Sequence, residues 1–324
     1  MAPEKARPRA GFFLGALNDA TLGCMDTLNF ETLIVPTGDG QMLAARAYLS
    51  AADRAVERAV IIAPALGVPQ RFYVHYAHWL AQQGCAVYTF DWRGMGDSAP
   101  RQLRGYQAEL TDWARHDAPA MMALVADRHP GLAITWFGHS MGGILLGLMP
   151  LHARIDQVVT LGSGSGYSGH LGRPLRYVIG GFWHVLVPLI VARHGYFAGR
   201  RLKAVGDVPH GVMAQWKRWA QHPDFVLSHG TEARQGYANV RLPITAVHVA
   251  DDWMASREGI RHQHAHFRNA TVQHVLLRPR EHGVRRMGHF NFFHGRTGPR
   301  AWALSRAWLG LERSATTPVR RHAS

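Results

Sequence analysis

The sequence predicts an α/β fold in which a doubly wound, mostly parallel sheet carries a helical cap insertion. Two observations support this prediction. Short apolar runs of strand length alternate with segments of helix length along most of the chain, and this alternation stops once, for a long internal stretch. With 324 residues, 47% of them hydrophobic, the chain is large enough for one such domain around a single sheet.

The strands are predicted from β-prone apolar runs. Glu31 to Val35 and Met42 to Leu49 are joined by the hairpin-type turn Thr37-Gly-Asp-Gly40, so we expect an antiparallel start. The later strands are Ala59 to Ile62, Ala86 to Phe90, Leu132 to Phe137, Gln157 to Leu161, Ile244 to Val249 and Val272 to Leu277. The helices are Phe72 to Gln83, Ala108 to Arg128, Met141 to about His152, Ser256 to Phe267 and Pro299 to Leu309. Helices between successive strands give right-handed crossovers and a parallel sheet.

The same alternation predicts the organisation of the chain. Residues 1–28 are an N-terminal extension, residues 29–162 and 240–313 the α/β core, residues 163–239 the cap insertion and residues 314–324 a flexible tail. An insertion of this length is too long for a simple loop. Within it, Tyr177 to Ala192 is almost continuously apolar, but it is shorter than the roughly 20 residues of a membrane span. We expect a buried helix facing the pocket, with an interfacial membrane contact or a true span as alternatives.

Charge and cysteine usage narrow the functional classes. The formal net charge is +14, from 36 Lys and Arg against 22 Asp and Glu. The basic residues are scattered and no nucleic-acid-binding motif accompanies them, so we expect no nucleic acid partner. A weak contact with an anionic membrane surface would suit this charge. Cys24 and Cys85 imply no disulfide framework, and the apolar run Gly11 to Leu17 is short for a signal peptide, which favours a cytoplasmic location.

The strongest chemical signal is Gly138-His139-Ser140-Met141-Gly142-Gly143, which follows a predicted strand and precedes a predicted helix. A G-x-S-x-G sequence in this position forms a sharp turn that holds the serine hydroxyl out at the carboxyl end of the sheet. The sequence therefore predicts Ser140 as a nucleophile.

A serine nucleophile needs a histidine base and a carboxylate that orients it, in the chain order Ser, acid, His. Asp251 and Asp252 both follow the strand ending at Val249; we favour Asp252 and keep Asp251 as the alternative. His289 lies in the loop Met287-Gly-His-Phe-Asn-Phe-Phe293 and is the predicted base, because the nearby His282 and His294 lack this G-H-F setting.

The oxyanion of an acyl transfer needs backbone N–H donors. We expect one from Met141 and one from the loop Ala63-Pro-Ala-Leu-Gly67, where Pro64 has no N–H and either Leu66, which we favour, or Ala65 supplies it. No metal or other cofactor is expected. Of His262, His264 and His266 only the outer two share a helical face, and we expect all three to be surface residues.

These motifs resemble the serine-hydrolase branch of the α/β-hydrolase superfamily, near its monoacylglycerol-lipase and serine-aminopeptidase-like members, over about Leu33 to Leu311. Asp91-Trp-Arg-Gly-Met-Gly-Asp-Ser98 is similar to a mainly structural segment of that superfamily. The chain departs from it at Pro64-Ala-Leu-Gly67, where His-Gly-x-Gly is usual, and at Val249, where glycine is common. The chain also resembles a bacterial subgroup of predicted α/β hydrolases in three segments, P-A-L-G-V-P, Gly162 to Gly166 and G-H-F-N-F-F.

We therefore expect a serine hydrolase that cleaves a small carboxylic ester with a hydrophobic acyl or aryl group through an acyl-enzyme. Acyl transfer by the same triad and amide or peptide cleavage are the alternatives. A non-catalytic scaffold is disfavoured by the complete set of Ser, Asp and His. The sequence leaves the acyl preference and the oligomeric state open.

Overall fold

The strands build one large sheet and one small one. The computed structural model describes residues 29–49, 56–150, 155–170, 175–202 and 205–311. Its strands are Glu31–Pro36 (β1), Met42–Tyr48 (β2), Arg58–Ala63 (β3), Cys85–Phe90 (β4), Ile134–His139 (β5), Gln157–Leu161 (β6), Tyr196–Phe197 (β7), Val208–Pro209 (β8), Ile244–Val249 (β9) and Val272–Leu277 (β10). Eight strands form a sheet in the order β1-β2-β4-β3-β5-β6-β9-β10, in which β2 runs antiparallel to both neighbours and the other pairs are parallel. The predicted fold class is confirmed.

Helices fill the crossovers between these strands. They are Val74–Gln82 (α1), Leu110–Asp112 (α2), Ala118–Arg128 (α3), Met141–Ile144 (α4), Leu175–Gly181 (α5), Val187–His194 (α6), His210–Ala220 (α7), Thr231–Asn239 (α8), Arg257–His264 (α9), Pro299–Trp302 (α10) and Ser305–Trp308 (α11). A π-helical turn, Trp113–Asp117, joins α2 to α3, and another, Phe182–Leu186, joins α5 to α6.

The core lies on both faces of the sheet. Every residue of β4 and β5 is buried, as expected for parallel strands covered on two sides. In β3, Ile61 belongs to one hydrophobic cluster while Val60 and Ile62 belong to the other, because successive side chains of a strand point to opposite faces. Cys85 is buried, as predicted.

The helix predicted from Met141 to about His152 is too long. The α-helix ends at Ile144 and a 3-10 turn, Leu145–Leu148, follows it. Pro150 disfavours a helical conformation at the residue before it, which accounts for the early end. Residues 151–154, the predicted N-terminal extension and the predicted C-terminal tail lie outside the described residues.

The segment Asp91 to Ser98 anchors the loop that follows β4. The Asp91 carboxylate accepts hydrogen bonds from the backbone N–H groups of Gln70 and Asp97, at 2.7 and 2.8 Å. The buried Arg93 guanidinium donates to Asp117 and, through two nitrogens, to Asp39. These contacts connect the β1–β2 turn to the helix that crosses to β5, in agreement with a structural role.

Between β6 and β9 the chain forms α5 to α8 and the small β7–β8 sheet, within the predicted insertion. The helix Leu175–His194, hereafter the long helix, contradicts the expectation of a buried helix, because only 11% of its most apolar 18-residue window is buried. Trp183 and Val187 pack inward, whereas Tyr177 and Leu189 are 66% and 64% exposed. The helix carries apolar residues on both sides, yet within the described ranges only one side is buried against other parts of the chain.

Candidate active site

Ser140 occupies a strained turn directly after β5. Its φ of 51° and ψ of −114° are unusual for a residue with a side chain, and the backbone holds this geometry through Ser140 N–H to Leu161 O at 2.9 Å. The turn requires glycines, since a side chain at Gly142 would meet the Ala63 backbone and one at Gly143 would meet Ser163. The predicted sharp turn is therefore present, with Ser140 partly exposed at the carboxyl end of the sheet.

The structure brings His289 and Asp252 together. His289 Nδ1 lies 2.7 Å from Asp252 Oδ2, and the two side chains are only 3% and 0% exposed. The other carboxylate oxygen of Asp252 accepts the N–H groups of Met254 and Ala255, at 2.8 and 3.0 Å. A carboxylate held in this way fixes the orientation of the imidazole ring.

Asp251 has a different place. Its two carboxylate oxygens accept the backbone N–H groups of Met287 and Gly288, each at 2.9 Å. These residues immediately precede His289, so Asp251 anchors the loop that carries the histidine while Asp252 binds the histidine itself. The geometry thus separates two aspartates between which the sequence left a choice.

A second, buried histidine links three loops of the site, and the sequence reading missed it. His139 Nε2 lies 2.9 Å from the carbonyl oxygen of His289 and must donate to it, because a carbonyl only accepts. His139 Nδ1 then accepts from the Tyr73 hydroxyl at 2.8 Å, and the Tyr73 oxygen accepts from the Ala65 N–H at 2.9 Å. Burial, together with the neighbouring His289, lowers the pKa of His139 well below its usual value, so the ring is neutral. The only sequence feature that pointed to a role for His139 was a polar side chain at the end of a buried strand.

This chain of hydrogen bonds bears on the oxyanion donor. Because the Ala65 N–H already donates to Tyr73, Leu66 is the better placed candidate of the two. The loop is also held at its ends, by Trp92 Nε1 to Pro64 O at 2.9 Å and by Gly206 N–H to Gly67 O at 2.6 Å. The latter bond comes from the insertion, which therefore contacts this side of the site. Met141 is the first residue of α4, directly after Ser140.

The three histidines in and just after α9 face different surroundings. His264 is buried, with Nε2 at 2.8 Å from Thr160 Oγ1 and Nδ1 at 2.8 Å from Ile260 O, so the expectation that it lies on the surface is wrong. His264 faces β6, whereas His262 and His266 lie side by side, with ring centroids 5.0 Å apart. Within the described ranges, no group of three or more His, Cys, Asp or Glu side chains could hold a metal ion.

Residues 54–284 match the family described as serine aminopeptidase S33. The chain belongs to this family. It is thus an α/β hydrolase, as its motifs and its sheet both indicate. Among curated proteins, none matches the chain.

Solved structures of low sequence identity share the fold. An N-acyl homoserine lactone degrading enzyme is 16% identical, with 85% of this chain and 100% of that chain covered and a TM-score of 0.55. A thermostable carboxyl esterase from Bacillus coagulans is 16% identical, with 78% and 91% covered and a TM-score of 0.51. An esterase from Pyrococcus furiosus is 15% identical, with 88% and 92% covered and a TM-score of 0.54.

Proposed function

We propose that this α/β hydrolase cleaves carboxylic esters with a hydrophobic acyl or aryl group, using Ser140 as nucleophile, His289 as base and Asp252 as the orienting acid. The observation that carries the proposal is the buried contact of His289 Nδ1 with Asp252, with the His289 ring centroid 5.0 Å from that of His139, the residue before Ser140. A carboxylate only accepts hydrogen bonds, so Nδ1 of His289 carries the proton toward Asp252 and Nε2 is left as the base.

The reaction then follows from these positions. Ser140 Oγ attacks the ester carbonyl and loses its proton to His289 Nε2, and the carbonyl electron pair moves to the oxyanion. The N–H groups of Met141 and Leu66 are the proposed oxyanion donors. Collapse of the tetrahedral intermediate expels the alcohol, which takes the proton from His289. Water repeats these steps on the acyl-enzyme, releasing the carboxylic acid and free Ser140.

Charge favours an ester over a peptide with a free amino terminus. An ammonium group is usually recognised by a carboxylate, and the acidic residues in the described part of the insertion are each paired with arginine. These pairs are Asp207 with Arg200 at 2.9 Å, Asp224 with Arg234 at 2.6 Å and Glu232 with Arg115 at 2.6 Å. The described part of the insertion thus offers no unpaired carboxylate for an ammonium group, which suits a neutral or anionic substrate.

The test is active-site labelling followed by a substrate series. A fluorophosphonate probe should label the wild type and fail to label Ser140→Ala. Hydrolysis of p-nitrophenyl esters should rise with acyl chain length up to the capacity of the pocket. An N-acyl homoserine lactone belongs in the series because a lactone is a cyclic ester, and an amino-acid p-nitroanilide tests aminopeptidase activity. Labelling that persists in Ser140→Ala, or preference for the anilide, would contradict the proposal.

A further inference from the structure

The outer face of the long helix is an unusual surface. Tyr177, Val178, Val185 and Leu189 are each more than half exposed. Single exposed apolar residues are common, but a row of them on one helix marks a surface that meets an apolar partner. Val185, Leu189 and Arg193 are spaced four residues apart, so an exposed arginine continues the same face.

The charged side chains of this helix have one sign. Residues 175–194 contain two arginines and no Asp or Glu. Exposed Arg176 and Arg193 lie near the two ends of the long helix. Basic side chains at the ends of an apolar helix can reach the headgroups of a lipid surface while the apolar face enters the acyl region.

We propose that the outer face of the long helix docks this protein onto the surface of an anionic lipid bilayer. Apolar burial and attraction between arginine and anionic lipid act together at such a surface. Docking would bring the insertion, and the Ala63 to Gly67 loop that it contacts, close to esters dissolved in the membrane. The docking itself does not depend on the proposed chemistry.

A helix of 20 residues is long enough to span a bilayer, but its inner face is engaged. The Trp183 ring packs edge-on against Trp216, with centroids 4.9 Å apart, and Phe182 packs against Phe197 at 6.0 Å. Spanning would break these contacts, whereas lying in the interface keeps them. The helix therefore fits the bilayer surface and not a membrane crossing.

A second copy of the chain fits this face poorly. In a two-fold symmetric dimer the same patch lies opposite itself. Two long helices, each with Arg176 and Arg193 and neither with an Asp or Glu, would then approach each other. An anionic bilayer supplies the missing negative charge.

A second basic surface of the protein can be compared with the long helix as a membrane-binding site. An open cavity of about 510 Å³ is lined by Val284, Arg285, Arg286, Arg296, Thr297 and Arg300. It carries four guanidinium groups without the row of exposed apolar side chains. If charge alone bound the membrane, this cavity would serve as well as the long helix.

The experiment is cosedimentation of the full chain with vesicles of phosphatidylcholine alone or of equal parts phosphatidylcholine and phosphatidylglycerol. We expect binding to the mixed vesicles that weakens at high salt. The double variant Val185→Ser/Leu189→Ser should reduce the partition coefficient about tenfold or more. Arg176→Gln and Arg193→Gln should each reduce it about fivefold.

Matched controls lie elsewhere on the surface. Ile34 on β1 is 65% exposed, and Arg241 lies at the amino end of β9, away from the catalytic edge of the sheet. Ile34→Ser and Arg241→Gln should leave binding within about twofold of the wild type. Ser140→Ala should also bind like the wild type, so failure of docking and failure of the proposed hydrolysis are distinguishable.

Three outcomes would overturn the proposal. The first is no binding to mixed vesicles at low salt. The second is binding that survives Val185→Ser/Leu189→Ser but is lost in Arg285→Gln/Arg296→Gln, which would place docking at the cavity. The third is a dimer in the absence of lipid, detected by sedimentation equilibrium and dissociated by Val185→Ser/Leu189→Ser. This result would assign the face to self-association.

Discussion

The catalytic edge of the sheet and the long helix of the insertion are held in opposite ways. At the edge, Asp252, His289 and His139 are buried, and each makes short directional hydrogen bonds to a neighbouring loop. Along the long helix, one apolar face packs against aromatic rings. The other face stays exposed within the described part of the chain. The first region is fixed by contacts within the chain, and the second has a face left for contacts outside it.

The largest effect is expected for the acid of the proposed triad. In Asp252→Asn an amide donor can replace the acceptor opposite Nδ1, which would favour the tautomer with Nε2 protonated and remove the base. We expect kcat to fall on the order of 10³- to 10⁴-fold, measured with the best p-nitrophenyl ester.

Asp251→Asn is the matched comparison, because it changes the adjacent carboxylate in the same way. Asp251 accepts two backbone N–H groups of the loop, one of which the Asn carbonyl can still bind. We expect kcat to fall by less than about tenfold. Equal losses in the two variants would contradict the assignment of Asp252 as the orienting acid.

The difference between the two regions also explains what the sequence could predict. Ser140, Asp252 and His289 could be predicted as site residues because the chemistry demands particular residue types after particular strands, and these are local signals. His139 was missed because its partners, Tyr73 and the His289 carbonyl, lie 66 and 150 residues away in the chain. The burial of the long helix was wrongly predicted because an apolar pattern records a preference for apolar surroundings and does not say whether the protein itself supplies them.

The next largest effect is on the free energy of unfolding, and it distinguishes the two faces of the long helix. Trp183 is 3% exposed and packs against Phe182 and Trp216, so Trp183→Ala should lower the free energy of unfolding by about 3–5 kcal/mol. Leu189→Ser, on the outer face, should change it by less than about 0.5 kcal/mol. Urea denaturation without lipid measures both. A large loss in Leu189→Ser would mean that the outer face is covered in solution.

A smaller effect is expected from the hydrogen-bond chain behind the site. Tyr73→Phe leaves the Ala65 N–H without its acceptor and His139 Nδ1 without its donor, both in buried positions. We expect the free energy of unfolding to fall by about 1–3 kcal/mol. We also expect kcat to fall more than KM changes, because the oxyanion loop and the His289 loop lose a shared support. A loss below about 0.5 kcal/mol, in the same urea assay, would show that this chain contributes little.

The smallest effect per residue is the change of stability with pH that the buried histidines cause. Burial lowers the pKa of His264 to about 4, and the His139 pKa is also well below its usual value. At each of these two positions the unfolded chain, with a histidine pKa near 6.5, therefore binds more protons than the native state as pH falls below that value. Each of these histidines should lower stability toward pH 4 by up to about 1.4 kcal/mol per pH unit. Burial raises the pKa of Asp91 to about 6 and that of Asp117 to about 7, which acts in the opposite direction.

Urea denaturation at several pH values tests this linkage. His264→Gln keeps an amide donor and acceptor but cannot titrate. The slope of stability against pH should therefore be lower in this variant than in the wild type, by up to the equivalent of one bound proton. His210→Gln changes an exposed histidine and serves as the control. If His264→Gln and wild type share one slope, then His264 is protonated to the same extent in both states, and its buried bonds to Thr160 and Ile260 do not hold it neutral.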